Sequence, residues 1–217
     1  MALVPALQKF TTASQAIASY NYLDIEEGVG YVVYYLGKAT AGNLMRNVAF
    51  FSEEIMSSKV GSNELVKQWD YDFDNTFNTA KSIKGTGLFT IPYALEESGS
   101  PGAYTVALYY IIKVRKWDGT SETEIANATS NTKSLTGGVG GVNMEEGYAA
   151  VEVTIPETHF AAGETLRITI EGWYSSGGNS MSAYMGHDPK NRTDELNWGS
   201  TFSNTSIEAH IPYKLDI

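Results

Sequence analysis

The sequence predicts an all-β fold, an antiparallel β-sandwich of jelly-roll type preceded by an N-terminal arm. Three observations point there. Tyrosine and glycine are abundant, with 14 and 21 among 217 residues, a balance that favours strands and tight turns over helices. Apolar residues recur at every second position in several segments, the period of a strand with one buried face. Turn residues separate these segments at short spacing, and no helical pattern alternates with them, which argues against parallel βαβ units.

Residues 1–27 stand apart, because "PALQKFTTASQAIASYNY" has no sustained apolar stripe to lay on a core. We read 1–27 as an arm and 28–217 as one sandwich domain. The core begins with "VGYVVYYLG", apolar on both faces as a covered strand is. Strands are expected at 44–51 ("LMRNVAFF") and 65–73 ("LVKQWDYDF"), with "SSKVGSN" as the turn-rich separator between them. "FNTAKSI" and "GLFTIPY" read as two short strands divided by "KGTG". The run "AYTVALYYIIKVRKW" is the longest, with Tyr104, Val106, Leu108, Tyr110, Ile112 and Val114 on one face.

A turn at Asp118-Gly119 leads into a polar, Thr-rich strand suited to an exposed edge. "LTGGVGGVNMEEG" reads as a loop. Next, "AAVEVTIP" turns Val151, Val153 and Ile155 inward, and "ETLRITIEGWY" turns Leu166, Ile168 and Ile170 inward against outward Thr165, Arg167, Thr169 and Glu171. "SSGGN" is expected to close a hairpin into "SMSAYMG". The last strand, "IEAHIPYKLDI", alternates cleanly, and Pro212, which has no N–H for a ladder, demands an edge, a bulge or a break.

Composition excludes several chemistries. With no cysteine there is no disulfide, thiol nucleophile or thiolate metal site. A formal charge of −10 without any Lys/Arg cluster makes nucleic acid a poor partner. "MALVPALQKF" is too short to span a bilayer and lacks a basic start, so neither a membrane anchor nor a standard export signal is expected.

"QWDYDFDNTFN" raises the one metal question, since Asp70, Asp72 and Asp74 occupy alternate positions. An EF-hand loop counted from Asp70 places Asn75 where Gly is required and Lys81 where the bidentate Glu belongs, which rules that motif out. A less regular site using Asp72, Asp74 and Asn75 stays open, with Ca²⁺ as its cofactor. The competing reading is a strand with Trp69, Tyr71 and Phe73 in the core and the acids in solvent. Like charges in such a row repel, so Lys or Arg from a neighbour, a cation, or open water must face them.

Other motifs fail. "GGVGGVN" lacks the Lys-Ser/Thr and the helix of a phosphate cradle, His159, His187 and His210 form no HExxH pair, and no G-x-S-x-G elbow occurs. The doublets Glu26-Glu27, Glu53-Glu54, Glu96-Glu97 and Glu145-Glu146 read as charged loop tips. The loop 184–200 gathers His187, Asp188, Asn191 and Trp198, which could stack on and hydrogen-bond a sugar. The plainer alternative is an ordered loop whose Asp188 caps its own turn before Pro189.

"YNYLDIEEGVGYVVYYLG", "FAAGETLRITIEGWYSSGG" followed by "GHDP", and the closing "IPYKLDI" resemble small β-sandwich virion structural proteins of tailed bacteriophages and related viruses. The resemblance implies a non-enzymatic role, as a capsid decoration or minor structural component in the virion, assembled in the host cytoplasm. Its partners are then other virion proteins and copies of itself through lattice contacts, with glycans on a free face. The alternative expectation is a carbohydrate-binding module or lectin-like sandwich.

Overall fold

The computed structural model describes residues 29–40, 42–60, 64–98, 105–137, 142–177, 181–192 and 204–214. The expected arm at 1–27, Tyr104 and Trp198 lie outside them. Every regular element among the described residues is a strand: β1 (Val29–Ala39), β2 (Gly42–Arg46), β3 (Met56–Val60), β4 (Val66–Thr76), β5 (Lys81–Ser98), β6 (Thr105–Trp117), β7 (Glu122–Thr129), β8 (Lys133–Thr136), β9 (Val142–Phe160), β10 (Thr165–Ser176), β11 (Met181–Gly186) and β12 (Ile207–Lys214).

Hydrogen bonding runs in the order β3-β11-β5-β12-β1-β2-β4-β10-β6-β7, with β9 along β5 and β8 along β6. All pairings are antiparallel except β2 with β4, which are parallel and joined at the single pair Leu44↔Asp74. That bridge divides the sheet into a half built on β5 and a half built on β10 and β6. One apolar cluster draws from both, taking Leu36, Phe89, Val153, Met185 and Ile211 from the first and Phe73, Leu108, Tyr110, Ile112, Ile168 and Ile170 from the second. The halves therefore face each other across one core, as the layers of a sandwich do.

The alternating segments behave as their period dictates. In β6, Val106, Leu108, Tyr110, Ile112 and Val114 are fully buried. In β12, Ile207, Ala209 and Ile211 are buried, and the ladder to β5 shifts register between His210 and Tyr213, the break that Pro212 requires. Asp118 Oδ1 accepts from the N–H groups of Thr120 and Ser121 at the β6–β7 turn, where Gly119 takes φ +96°. The polar strand β7 pairs with β6 as the last strand in that order.

Six expectations are corrected. The strand foreseen at 44–51 ends at Arg46, and the first four residues of the supposed separator belong to β3, which pairs with β11. "FNTAKSI" and "GLFTIPY" lie in one region of which β5 is a single 18-residue strand, because Gly85 absorbs a register shift at φ +120° instead of ending the strand. The loop expected through residue 147 gives way to β9 at Val142. No β10–β11 hairpin pairs: β11 crosses to β5 and β3. Thr165, Thr169 and Glu171 are buried, because β10 lies between β4 and β6 and neighbouring side chains cover its second face.

Trp69 fixes one glycine of β10. A Cβ on Gly172 would lie 2.3 Å from Trp69 Cε3, and Trp69 in turn stacks on Tyr110 with ring centroids 6.5 Å apart. Gly172→Ala is expected to lower stability by about 1–3 kcal/mol through this overpacking, read as a shift in the urea midpoint at unchanged slope.

Candidate functional site

The acid row lies where β4 pairs with β10. Opposite residues of an antiparallel pair share a face, and the register sets Asp74 against Arg167, Asp72 against Thr169 and Asp70 against Glu171. Arg167 grips Asp74 with two nitrogens, Nε to Oδ1 at 2.7 Å and Nη2 to Oδ2 at 2.8 Å. Its Nη1 meets Glu122 at 2.6 Å and Asp72 at 3.8 Å. Thr169 donates to Asp72, while Lys67 bonds Asp70 at 2.6 Å and Lys113 bonds Glu171 at 2.7 Å. Cationic side chains of the protein itself thus face the row. Its aromatic counterparts turn inward as expected, Trp69 and Phe73 into the core and Tyr71 packed against it. By the two-residue period Asn75 lies on the inward side, so it does not converge with Asp72 and Asp74. Among the described residues no group of three or more His, Cys, Asp or Glu is gathered as a metal site needs.

The loop after β11 brings together three of the four expected glycan contacts and turns two of them inward. His187 and Asp188 are fully buried. The Asp188 carboxylate accepts from Ser52 N at 3.1 Å, Arg192 N at 3.0 Å and Arg192 Nε at 2.9 Å. Asn191, at φ +53°, accepts from Thr205 N through Oδ1 and donates its own N–H to Asp188 O. These polar groups are engaged in holding the turn, with Asp188 capping it.

Sequence reading missed a further polar cluster, whose members come from separate elements and leave no local motif. Lys38 near the end of β1 projects its Nζ to Glu54 Oε2 at 2.8 Å, Tyr71 OH at 3.1 Å and Ser57 Oγ at 3.2 Å, and lies 4.3 Å from the centre of the Tyr71 ring. Ser57 Oγ is 2.8 Å from Tyr71 OH and 3.1 Å from His187 Nε2. The backbone holds this together: Lys38 N donates to Ser52 Oγ, Glu53 N to Lys38 O, and His187 N to Ile55 O. β1, β3, β4 and the end of β11 meet here.

Electrostatics fix the protonation states. Burial opposes the charge on Lys38, but its hydrogen bonds to Glu54 and Tyr71 outweigh that and raise its pKa. The Lys38 hydrogen bond holds Glu54 below the usual carboxylate range. Burial, helped by the Lys38 charge, lowers His187 to about 4, so the ring is neutral at neutral pH. A neutral imidazole has one N–H, and His187 Nδ1 is buried with no hydrogen-bond partner. The backbone carbonyls of His187 and Glu54 favour a protonated ring nitrogen, and a proton on Nε2 is donated to Ser57 at 3.1 Å. Taking a proton from Ser57 requires the other tautomer, with the proton on Nδ1.

No protein-family model and no curated protein matches the chain. Solved structures do. An α-amino acid ester hydrolase is similar over 84% of this chain and 36% of its own, at 9% identity and a TM-score of 0.52. A CocE/NonD family hydrolase from Staphylococcus aureus is similar over 85% of this chain and 37% of its own, at 14% identity and a TM-score of 0.50. A structure of infectious bursal disease virus (Gx strain) matches over 85% of this chain and 37% of its own at 11% identity, but its TM-score of 0.28 is too low to carry an argument. The chain spans little more than a third of the length of these structures.

These matches correct the expectation of a non-enzymatic virion structural protein. Both matches above that reach a TM-score of 0.50 are to hydrolases. At such identities the likeness establishes the fold. Among the described residues no helix is long and apolar enough to cross a membrane.

Two outcomes follow from the geometry. Arg167→Met leaves Asp72, Asp74 and Glu122 facing one another, and is expected to cost about 1 kcal/mol at low salt and less at high salt. Adding Asp74→Asn should recover part of that loss, as a double-mutant cycle by urea unfolding would show. His187 has a folded pKa of about 4 against an unfolded value near 6.5, so in that window the unfolded chain binds more protons and stability rises with pH. Its contribution is fully present above pH 6.5 and is lost as pH falls. Stability should be roughly 2 kcal/mol lower at pH 5 than at pH 7, and His187→Phe should flatten that slope.

Proposed function

We propose that this chain is the β-sandwich portion of a hydrolase acting on acyl compounds, esters or amides, a folded module on which the rest of the enzyme is built. The observation that carries the reading is the asymmetry of the matches, which take up 84% and 85% of this chain but only 36% and 37% of the two hydrolases. A module must fold around its own core, and here one apolar cluster spans both halves of the sheet.

A second reading has one observation in its favour, the 3.1 Å approach of His187 Nε2 to Ser57 Oγ. With the proton moved to Nδ1, His187 becomes a base for a Ser57 nucleophile, and Lys38 beside it can face a developing oxyanion. The burial of both residues favours the module reading.

The two separate experimentally. If the chain is a portion of a hydrolase, cleavage of α-amino acid esters or peptide amides should co-elute with it through two orthogonal columns when it is purified from its natural source. Elution of the chain free of either activity would contradict the proposal. Labelling of the purified chain by a fluorophosphonate, lost in Ser57→Ala, would favour Ser57 as nucleophile. Absence of labelling beside a reactive control enzyme would favour the module.

A further inference from the structure

The solvent face of β9, β5, β12 and β1 carries a shallow, open groove lined by Tyr31, Thr86, Leu88, Glu152 and His210. Register builds it. Leu88 pairs with Glu152 on one side and with His210 on the other, so the three stand in a row across three strands on one face. Tyr31, on β1, reaches over the intervening β12 to donate its hydroxyl to the Thr86 carbonyl of β5 at 3.2 Å. That bond lays the ring across the sheet as one wall of the groove. His210 Nε2 lies 3.4 Å from Glu208 Oε2, which orients the imidazole.

The lining chemistry is one-sided. Glu152 is exposed and, among the described residues, has no ion pair, and Glu208 stands at the groove's edge. Among the described residues no Lys or Arg lines the groove. A carboxylate beside an aromatic ring and an aliphatic side chain suits a cation on a short carbon chain: the carboxylate and ring face attract the charge, and Leu88 covers the methylenes. An anion would meet Glu152, Glu208 and a chain of formal charge −10.

We propose that this groove binds an organic ammonium group, a primary amine on a short alkyl chain, carried either by a free amine or by a lysine side chain of a peptide. The ammonium sits between Glu152 and the Tyr31 ring, and the chain lies on Leu88. This site is separate from the Ser57 cluster and does not rest on the hydrolase reading.

Two-dimensional NMR of the purified chain tests it, with n-butylammonium and an N-acetylated, C-amidated lysine tripeptide as probes and n-butanol as the neutral control. Saturable shifts at the backbone amides of Tyr31, Thr86, Leu88 and His210 are expected with an ammonium probe, with a dissociation constant on the order of 1 mM. Glu152→Gln should weaken binding about threefold to fivefold, and high salt should weaken it in the parent protein. Saturation by both probes, or by one alone, supports the site and assigns its source. No saturable shift with either probe, equal shifts with butanol, or affinity unchanged by Glu152→Gln would overturn it. The folded spectrum of the exposed variant makes that last comparison valid.

Discussion

Among the described residues the two halves of this sheet share one backbone bridge, Leu44↔Asp74, so burial of apolar side chains between them has to hold the fold together. Backbone pairing alone would leave β5 with its neighbours and β10 with its neighbours as two curved ribbons. Apolar burial contributes roughly 25 cal/mol per Å² and has no direction. It can press the halves together without specifying how their corner closes. Direction comes from side chains that fit only one way, such as Trp69 lying against Gly172 and stacking on Tyr110.

The Lys38 cluster sits at that corner. Tyr71 belongs to the half that contains β10, while Lys38, Ser57 and His187 belong to the half that contains β5. A polar network buried there is stable only if nearly every group is met, and the one unmet atom is His187 Nδ1. Burial and the charge of Lys38 hold the ring neutral. The same arrangement that ties the halves leaves Ser57 poorly prepared for nucleophilic attack. A tie of this kind suits a module that keeps its shape while larger parts of an enzyme act beside it.

How much of this was legible in the sequence depended on whether a signal was local. The alternation of β6 and β12, the bulge at Pro212 and the turn at Asp118 could be read because a few adjacent residues determine them. β3 was missed because "MSSKV" has the composition of a turn and becomes a strand only through its partner β11. β5 was split because glycine is ambiguous. A Cβ on Gly87 would meet Ile155 and the His210 carbonyl at 3.2 and 3.3 Å, so this glycine marks close packing, where the sequence suggests a break. The acid row was resolved as far as its three outcomes, and the register then selected Arg167 and the lysines. The Lys38 cluster left no trace, since its residues span positions 38 to 187 and Tyr71 joins the others only when the two halves meet.

The most direct test of this account is native-state hydrogen exchange followed strand by strand. If one core and one corner unite the halves, the most protected amides of β5 and β12 should open with the same free energy as those of β6 and β10, in a single cooperative event. Independent opening of the β5 half, at a clearly lower free energy, would show two units in contact and contradict the account.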